Sequence, residues 1–438
     1  MYLIDKDEVL SFKKMADIIQ SFEFKDKPIL ENYNNYYLGK QAILNKTVSD
    51  TSKPCNRIVV NYCQSIVSTF AGYLTSIDIT YSSNEDITDI QDILNYNDVA
   101  SVDSELLVNA LKFGVAYEIA YLDEDSKQRF KVLDSREIIP VYVNDLDNDL
   151  ALVIRYFPVD NTKIDSDYYV EVYTRDKTYT YKANNSLTTF SLIKEQENYY
   201  KQVPITVFEL NVDRQSIFAQ IMTLQDAYNT LLSSSTDDWE AFCDAYMVLS
   251  EMDVDPEELS MMRENRVLVI PSGGDAKYLT KDINTTQVQA LLQNANDNIH
   301  KIANCPDFSQ ESFGTSSGIA LRHRLLGFQN VAGTIEKRMT RALQRRIELI
   351  CSILSITNGE DIWKNIEIRF TKNLPVDLNE TVNVVNSLRG LVSDKTLLAQ
   401  LPFVSNVELE MEQLEEQKKQ NVSLYSFSNY EEVEPTDE

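Results

Sequence analysis

Three long stripes of apolar residues at helical spacing constrain this chain more than any other feature of its sequence. The longest continues for about 35 residues and stops before Asn358-Gly359. Its apolar members are Leu321, Leu325, Phe328, Ala332, Ile335, Met339, Leu343, Ile347, Ile350 and Leu354. The other stripes cover 217–249 and 286–302, and a helix over 217–249 would be roughly 50 Å long. A single slender subunit cannot bury two faces of such helices, so the stripes predict an oligomer whose neighbouring copies cover one another.

The charge balance narrows the classes of function. The chain has 438 residues, with 68 Asp+Glu against 41 Lys+Arg, and its net charge is −27. A simple nucleic-acid binder usually presents a basic patch, so this balance argues against that class. At roughly 150 residues per domain, the length suggests about three structural units. No apolar run reaches the roughly 18 residues of a membrane span, and the first residues do not resemble a signal peptide, so we expect no membrane segment.

The residues that common catalytic and metal sites need are nearly absent. The 5 cysteines are scattered without a C-x-x-C pair, and His300 and His323 are the only histidines. The chain therefore has few of the histidines and cysteines that a zinc site needs, and few of the histidines that a catalytic triad needs. The stretch Gly314-Thr-Ser-Ser-Gly318 matches the G-x-S-x-G motif of hydrolases, but a polar segment precedes it where that motif needs a buried strand. The sequence predicts no catalytic residue, no metal site and no cofactor, and an enzyme built on Ser316 is one alternative.

The spacing of apolar residues changes along the chain between helical and extended, which predicts an α+β fold. Residues 1–50, 56–74 and 103–113 have helical spacing. Extended segments bounded by Asp, Asn and Ser then predict a mostly antiparallel sheet. These segments are 115–122, 129–133, 138–143, 150–157, 168–174, 178–182 and 203–210.

A small α/β insert separates the first two long helices. We expect a helix at 256–262, strands at 266–270 and 276–279, and a turn at 271–274 between those strands. Residues 307–318, which precede the longest helix, are polar, contain glycine and show no period. Such a composition is typical of an exposed loop.

The chain after the longest helix is expected to be simpler. A strand is predicted at 366–370, and two or three short helices are predicted within 378–420. Residues 421–438 are acidic and have few apolar anchors, which predicts a disordered tail.

The longest helix is basic within an acidic chain. Between Thr315 and Ile350 the acidic residues are Glu336 and Glu348. The basic residues of the same stretch are Arg322, Arg324, Lys337, Arg338, Arg341, Arg345 and Arg346. One hypothesis is a solvated helix face paired with acidic neighbours. The other is a surface that faces a neighbouring subunit or nucleic acid.

Several short stretches, in this order, resemble the portal protein family of tailed bacteriophages and prophages, in particular the group typified by the portal of a Bacillus siphophage. The stretches are Tyr36-Tyr-Leu-Gly39, Asn56-Arg-Ile-Val-Val-Asn61, Gly72-Tyr-Leu74, Phe113-Gly-Val-Ala-Tyr117, Val132-Leu-Asp-Ser-Arg-Glu-Ile-Ile-Pro-Val-Tyr142, Asp237-Asp-Trp-Glu-Ala-Phe242, Ser317-Gly-Ile-Ala-Leu-Arg322 and Leu391-Val-Ser-Asp-Lys-Thr-Leu-Leu398. The chain departs from the family at Ser135, where proline is usual. We expect this difference to change a local turn.

The resemblance implies a ring, generally dodecameric, at one capsid vertex, with double-stranded DNA passing through a central channel. It implies contacts with the terminase large subunit, a head–tail adaptor protein, and the major capsid and scaffolding proteins, but not with a membrane. The protein would be part of the virion and would assemble in the host cytoplasm. An elongated subunit is implied, with these parts: 1–215 wing, 216–250 stem helix, 251–284 clip, 285–306 stem helix, 307–318 tunnel loop, 319–377 long wing helix and returning strand, 378–420 crown, and 421–438 acidic tail.

The resemblance also assigns candidate contacts. The residues expected to face DNA in the channel are Lys301, Ser309, Gln310, Glu311, Ser312, Phe313, Gly314, Thr315, Ser316 and Ser317. Those of the clip, expected to meet DNA or a partner protein, are Arg263, Arg266, Lys277 and Lys281.

The acidic balance fits such a conduit. Each Lys or Arg contact with a phosphate adds salt-dependent affinity, so a channel along which DNA slides should have few of them. The main alternative is a structural subunit of a phage tail or baseplate, without a DNA channel.

Overall fold

A computed structural model describes most of the chain, and its residues fall into two compact units, Met1–Asn373 and Leu374–Glu438. The described residues are 1–5, 8, 10–50, 53–163, 165–243, 246–250, 255, 275–279, 285–307, 318–358, 362–372, 385–398, 401, 404 and 407–427. Helices and several sheets are both present, which confirms the predicted mixture of α and β structure.

Most helices of the first unit come before or after its main strands in the sequence. They are α1 Phe12–Lys25, α2 Lys27–Tyr37, α3 Tyr62–Thr75, α4 Thr88–Tyr96, α5 Val99–Phe113, α6 Met222–Cys243, α7 Thr285–Ile302 and α8 Gly318–Asn358. The third predicted long helix is therefore confirmed, since α8 has 41 residues. None of the helices that the structure describes is both long and apolar enough to span a membrane.

The strands form two main sheets and two small pairs. They are β1 Tyr2–Ile4, β2 Thr80–Ser82, β3 Val115–Leu122, β4 Gln128–Leu133, β5 Ile138–Val143, β6 Leu150–Pro158, β7 Tyr168–Tyr173, β8 Lys177–Ala183, β9 Phe190–Glu197, β10 Ile205–Glu209, β11 Tyr246–Ser250, β12 Asp275–Leu279 and β13 Glu367–Arg369. The larger sheet has the order β1-β5-β6-β7-β8-β9 and the smaller one β10-β3-β4, while β11 pairs with β12 and β13 with β2.

The predicted antiparallel meander is confirmed for β5 to β8, with additions at both edges of their sheet. The predicted strands at 115–122, 129–133 and 203–210 instead form the separate smaller sheet. Strand β1 pairs in parallel with β5, and the other pairs of the larger sheet are antiparallel. Neither β1 nor β9 was predicted. Strand β9 has the sequence Phe-Ser-Leu-Ile-Lys-Glu-Gln-Glu and is exposed over nearly its whole length, so the alternation of apolar and polar residues that marks a half-buried strand is missing from it.

The corner between α5 and β3 explains two residues of the portal-like stretches. Gly114 has φ +80°, and a Cβ placed on it would lie 2.3 Å from the carbonyl carbon of Arg214. Only glycine fits there. Ser135 is fully buried, and its hydroxyl donates to the carbonyl of Val115 at 2.9 Å. The residue that departs from the family pattern therefore forms a buried hydrogen bond that proline could not make.

Helix α6 is shorter than the helix predicted at this place. The helix expected within 216–250 ends at Cys243, so α6 has 22 residues and is about 33 Å long. Residues Tyr246–Ser250 instead form β11, antiparallel to Asp275–Leu279. A short apolar run such as Tyr-Met-Val-Leu-Ser fits helix and strand equally by period, and the partner strand decides between them. The expected helix at 256–262 and strand at 266–270 lie outside the described residues.

The helix predicted from residue 56 starts later than expected, because α3 begins at Tyr62 and the residues before it are not helical. The second unit contains α9 Asp394–Leu398 and α10 Val407–Phe427. Helix α10 extends into the predicted disordered tail, so the tail prediction is wrong for 421–427. The Glu, Gln, Lys and Leu that dominate 408–420 are strong helix formers, and the helix that they form continues through 421–427. Residues 428–438 lie outside the described residues.

Candidate functional site

Most of the predicted contact residues lie outside the described part of the chain, and two lie inside it. Lys301 is in the last turn of α7 and its side chain is exposed. Lys277 is in β12, opposite Val248 of β11. The residues outside the described part are Ser309, Gln310, Glu311, Ser312, Phe313, Gly314, Thr315, Ser316, Ser317, Arg263, Arg266 and Lys281. What can be built from contacts is the framework that holds both ends of the 308–317 segment.

The N-terminal end of this segment is held through Tyr62, the first residue of α3. The Tyr62 hydroxyl donates to Oδ1 of Asn296 on α7 at 2.7 Å. Its ring meets the rings of His300 on α7 and Tyr228 on α6 edge-on, with centroids 5.7 Å and 5.3 Å away. Ring Nδ1 of His300 lies 2.9 Å from the carbonyl oxygen of Cys305. Tyr62 thus ties α6, α7 and the start of the segment together.

The C-terminal end of the segment is held by the same helix. Phe328 on α8 is buried, and its ring lies 4.5 Å from that of Phe70 and 4.8 Å from that of Tyr73, both on α3. A Cβ on Gly327 would come within 3.0 Å of Oδ1 of Asn304, just after α7. Aromatic contacts at these distances are favourable beyond the area they bury. The helices before and after the 308–317 segment, α7 and α8, therefore both contact α3, which is the centre of this framework.

A row of polar side chains on α6, here called the polar ladder, holds the extended residues before α3. Each of its four members accepts a hydrogen bond from a backbone N–H of that segment. The pairs are Gln225 with Tyr62 (3.1 Å), Asn229 with Val60 (3.0 Å), Ser233 with Ile58 (3.0 Å) and Asp237 with Asn56 (2.6 Å). The helix thereby takes the place of a neighbouring strand along one edge of the segment.

Matching repeats make the polar ladder possible. Four residues of an α-helix rise about 6 Å, and two residues of an extended chain rise about 6.6 Å. Side chains at every fourth position of α6 can therefore reach every second N–H of the segment. The signal was present in the sequence, as four short or amide side chains spaced by four along a predicted helix, but a polar stripe of this kind is more often a solvated face.

The ladder is buried for most of its length. Gln225, Asn229 and Ser233 are each 0% exposed, and buried polar groups need partners. The amide of Gln225 also donates to the Val60 carbonyl, and that of Asn229 donates to Oε1 of Gln41. These bonds satisfy both ends of each amide.

The fourth member of the ladder is a carboxylate near the surface. The carboxylate of Asp237 forms an ion pair with Lys46 at 2.5 Å and accepts from the side chain of Asn56 at 2.9 Å. Partial desolvation raises the pKa of Asp237, but the hydrogen bonds from Lys46 and Asn56 outweigh it and hold the pKa below its usual value. The carboxylate therefore stays ionised at the end of the ladder.

Three of the portal-like stretches meet on α6. The ladder joins the stretch that begins at Asn56 to the one that begins at Asp237. The stretch that begins at Tyr36 joins them as well, because the Tyr36 hydroxyl donates to Asp226 at 2.6 Å. The Tyr37 carbonyl also accepts from the side chain of Asn61 at 2.9 Å. Residues that looked unrelated in the sequence thus form one structural unit beside α6.

A buried ion cluster holds α8 in the first unit. The guanidinium of Arg346 lies 2.5 Å from Asp103 on α5 and 2.5 Å from Glu118 on β3. The side chains of all three are between 0% and 2% exposed. Burial raises the pKa of Asp103 even though the positive charge of Arg346 lowers it. Arg346 was counted among the charges of a surface face, and that assignment is wrong because it lies in the core.

Comparisons with known proteins identify the family. A sequence model of the family described as "Phage portal protein, SPP1 Gp6-like" matches residues 17–424. The chain belongs to this family of phage portal proteins, which are structural components of the virion capsid. The resemblance inferred from the short stretches is therefore confirmed.

Two phage portal proteins align with more than 90% of this chain. The portal protein of Clostridium phage phiCD119 is 23% identical over 459 aligned positions, covering 96% of this chain and 100% of the relative. The portal protein of Bacillus phage SPP1 is 23% identical over 432 positions, covering 92% of this chain and 86% of the relative. Among solved structures, the neck of an empty GTA particle computed with C6 symmetry aligns with 76% of this chain and 86% of its own, at 13% identity and a TM-score of 0.43.

Proposed function

We propose that this chain forms the portal ring of a tailed phage or prophage. The ring, a dodecamer, lies at one capsid vertex, and double-stranded DNA enters and leaves the head through its central channel. It docks the terminase large subunit during packaging and a head–tail adaptor afterwards, and it contacts the major capsid and scaffolding proteins. The observation that carries the proposal is the family match over residues 17–424.

The described elements support a separate role for each part of the subunit. Helices α6 and α7 pack against each other and would be the stem around the channel. The β11–β12 pair would be the base of the clip, with Lys277 meeting DNA or a partner protein. Residues 307–318 would be the tunnel loop, Lys301 would lie beside it, and α8 would cross the wing.

The framework centred on α3 suits a loop that contacts moving DNA. Aromatic packing and hydrogen bonds on α3 hold the helices on either side of that loop. The acidic balance of the chain keeps phosphate contacts few, so DNA slides instead of binding tightly.

A packaging experiment tests the proposal and separates it from a tail or baseplate role. Heads are assembled in cells that lack this chain, that supply it intact, or that supply it with residues 309–317 deleted. DNase-resistant genome in the heads is then measured. We expect packaged DNA with the intact chain and none without it. The deletion variant should still be incorporated into heads, because α7 and α8 are held by α3, yet should leave them empty.

Two results of this experiment would contradict the proposal. Heads that fill with DNA in the absence of the chain would place it in the tail or baseplate. Full packaging by the deletion variant would remove the 309–317 segment from the DNA path while leaving the ring itself in place.

A further inference from the structure

A cleft with a volume of about 1360 Å³ lies in the first unit, between α8 and the strands β5, β6 and β10. One wall is the stretch of α8 from Lys337 to Ser352. The opposite wall includes the 147–150 turn, Arg175 and the 199–203 segment, with Trp363 also at the cleft. None of the polar-ladder residues lines it.

The α8 wall carries four cations that line the cleft. Arg345 is occupied, since its guanidinium lies 2.7 Å from Glu348 and also donates to Gln202. Lys337, Arg338 and Arg341 line the same cleft and make no hydrogen bond or ion pair with the part of the chain that the structure describes. Lys337 and Arg341 are exposed, and Arg338 is half-buried.

The opposite wall does not neutralise these charges. It adds the cations Arg175 and Lys201, both exposed. Its carboxylates are Asp147, Asp149 and Glu209, but Glu209 is paired with Arg214 at 2.6 Å. The cleft is thus a local surplus of positive charge in a chain whose net charge is −27, and a surplus of this kind favours an acidic partner.

We infer that this cleft is one side of the contact between neighbouring copies in the ring, and that it takes an acid-rich segment of the next copy. The inference rests on the proposed ring. Ring contacts are heterologous, so two different surfaces of the same chain must complement each other. With 68 acidic residues against 41 basic ones, the surface that a second copy presents is acidic on average, and the basic cleft complements it.

The lining favours a protein segment over DNA. Asp147 and Asp149 can accept hydrogen bonds from the backbone N–H groups of a peptide, and the phosphate backbone of DNA has no such donors. Tyr199, which is 60% exposed, and Trp363 add aromatic surface of the kind enriched at protein interfaces.

Spacing on α8 specifies the segment further. Lys337 and Arg341 are one helical turn apart, about 6 Å along the axis. Carboxylates at alternate positions of an extended segment are about 6.6 Å apart on one face. An acid-x-acid pattern therefore fits the α8 wall.

Charge reversal tests the inference. The variant Lys337→Glu with Arg341→Glu changes the net charge by four, and so does the control Lys13→Glu with Lys131→Glu, whose side chains are exposed outside the cleft. Self-association of the full chain is measured by sedimentation velocity at several salt concentrations. We expect the cleft variant to associate about tenfold or more weakly, because like charges then face each other, and the control to behave as wild type. Wild-type association should also weaken as salt rises.

Cross-linking of the unaltered protein gives an independent reading. Copies labelled with ¹⁴N and ¹⁵N are mixed, allowed to associate and treated with a carbodiimide, which joins an amine to a carboxylate in direct contact. We expect Lys337 to be joined to an Asp or Glu of the other isotopic copy.

The inference is overturned if the cleft variant assembles as the control does, or if Lys337 forms only intramolecular cross-links while other residues link copies together. Loss of binding to a labelled DNA duplex with unchanged assembly would make the cleft a nucleic-acid surface instead. Wild-type protein that stays monomeric contradicts the ring itself, and the cleft contact with it. That outcome is distinguishable because wild type, control and cleft variant then behave alike.

Discussion

Replacing Arg346 with alanine is expected to lower the free energy of unfolding of the first unit by about 3–5 kcal/mol, because two buried carboxylates lose their only counter-charge in the described structure. The measurement is chemical denaturation followed by tryptophan fluorescence. Trp363 is a suitable reporter, since it packs against the apolar cluster that contains Ile347 and Ile350.

The loss should depend on pH in a defined direction. Burial already raises the pKa of Asp103, and Arg346 partly offsets this, so the variant raises that pKa further. An acid with a higher pKa in the folded state holds more protons there than in the unfolded state. Stability then falls as pH rises between the two pKa values. The deficit of the variant relative to wild type should therefore be largest near neutral pH and shrink as pH falls.

A triple variant separates charge from packing. Arg346→Met combined with Asp103→Leu and Glu118→Met removes the whole cluster and should recover most of the lost stability, since no uncompensated charge remains. If the single variant loses less than about 1 kcal/mol, or if the triple variant is as unstable as the single one, the ion cluster does not hold α8 by charge pairing.

Replacing Asn229 with alanine should lower the free energy of unfolding by about 2–4 kcal/mol. The change leaves the N–H of half-buried Val60 and Oε1 of buried Gln41 without their partners, and each orphaned group costs about 1–3 kcal/mol. Denaturation followed by fluorescence detects it, because Trp363 packs against an apolar cluster of the same unit.

Thr230→Ala is the matched control, since Thr230 is the next residue on α6 and is exposed. It should change stability by no more than about 0.5 kcal/mol. An equal effect of the two substitutions would show that the polar ladder adds nothing beyond the helix propensity of α6.

The elements with long, regular periods were predictable from the sequence. Helix α8 and the strands from Val115 to Tyr173 were predicted within a few residues, because their apolar residues recur at helical spacing or form extended runs bounded by polar turns. The run Tyr246–Ser250 was assigned to a helix, because its true partner, Asp275–Leu279, lies far along the chain. Pairing between distant segments is invisible to a local period.

The site was predictable in outline only. The order of short stretches indicated the family, but no local rule indicates that Asn56 to Tyr62 would take its hydrogen bonds from side chains of a helix. The sequence also does not reveal which of the seven cations on α8 has buried partners, and in the structure it is Arg346. Both features depend on contacts between residues more than 150 positions apart.

Electron microscopy of the purified full-length chain tests the proposed ring most directly. Images are recorded over a range of protein and salt concentrations, alone and with the capsid and scaffolding proteins of the same phage. We expect annular particles with a central opening wide enough for a DNA duplex. Monomers under every condition, or closed oligomers without an opening, would contradict a portal ring built from this chain.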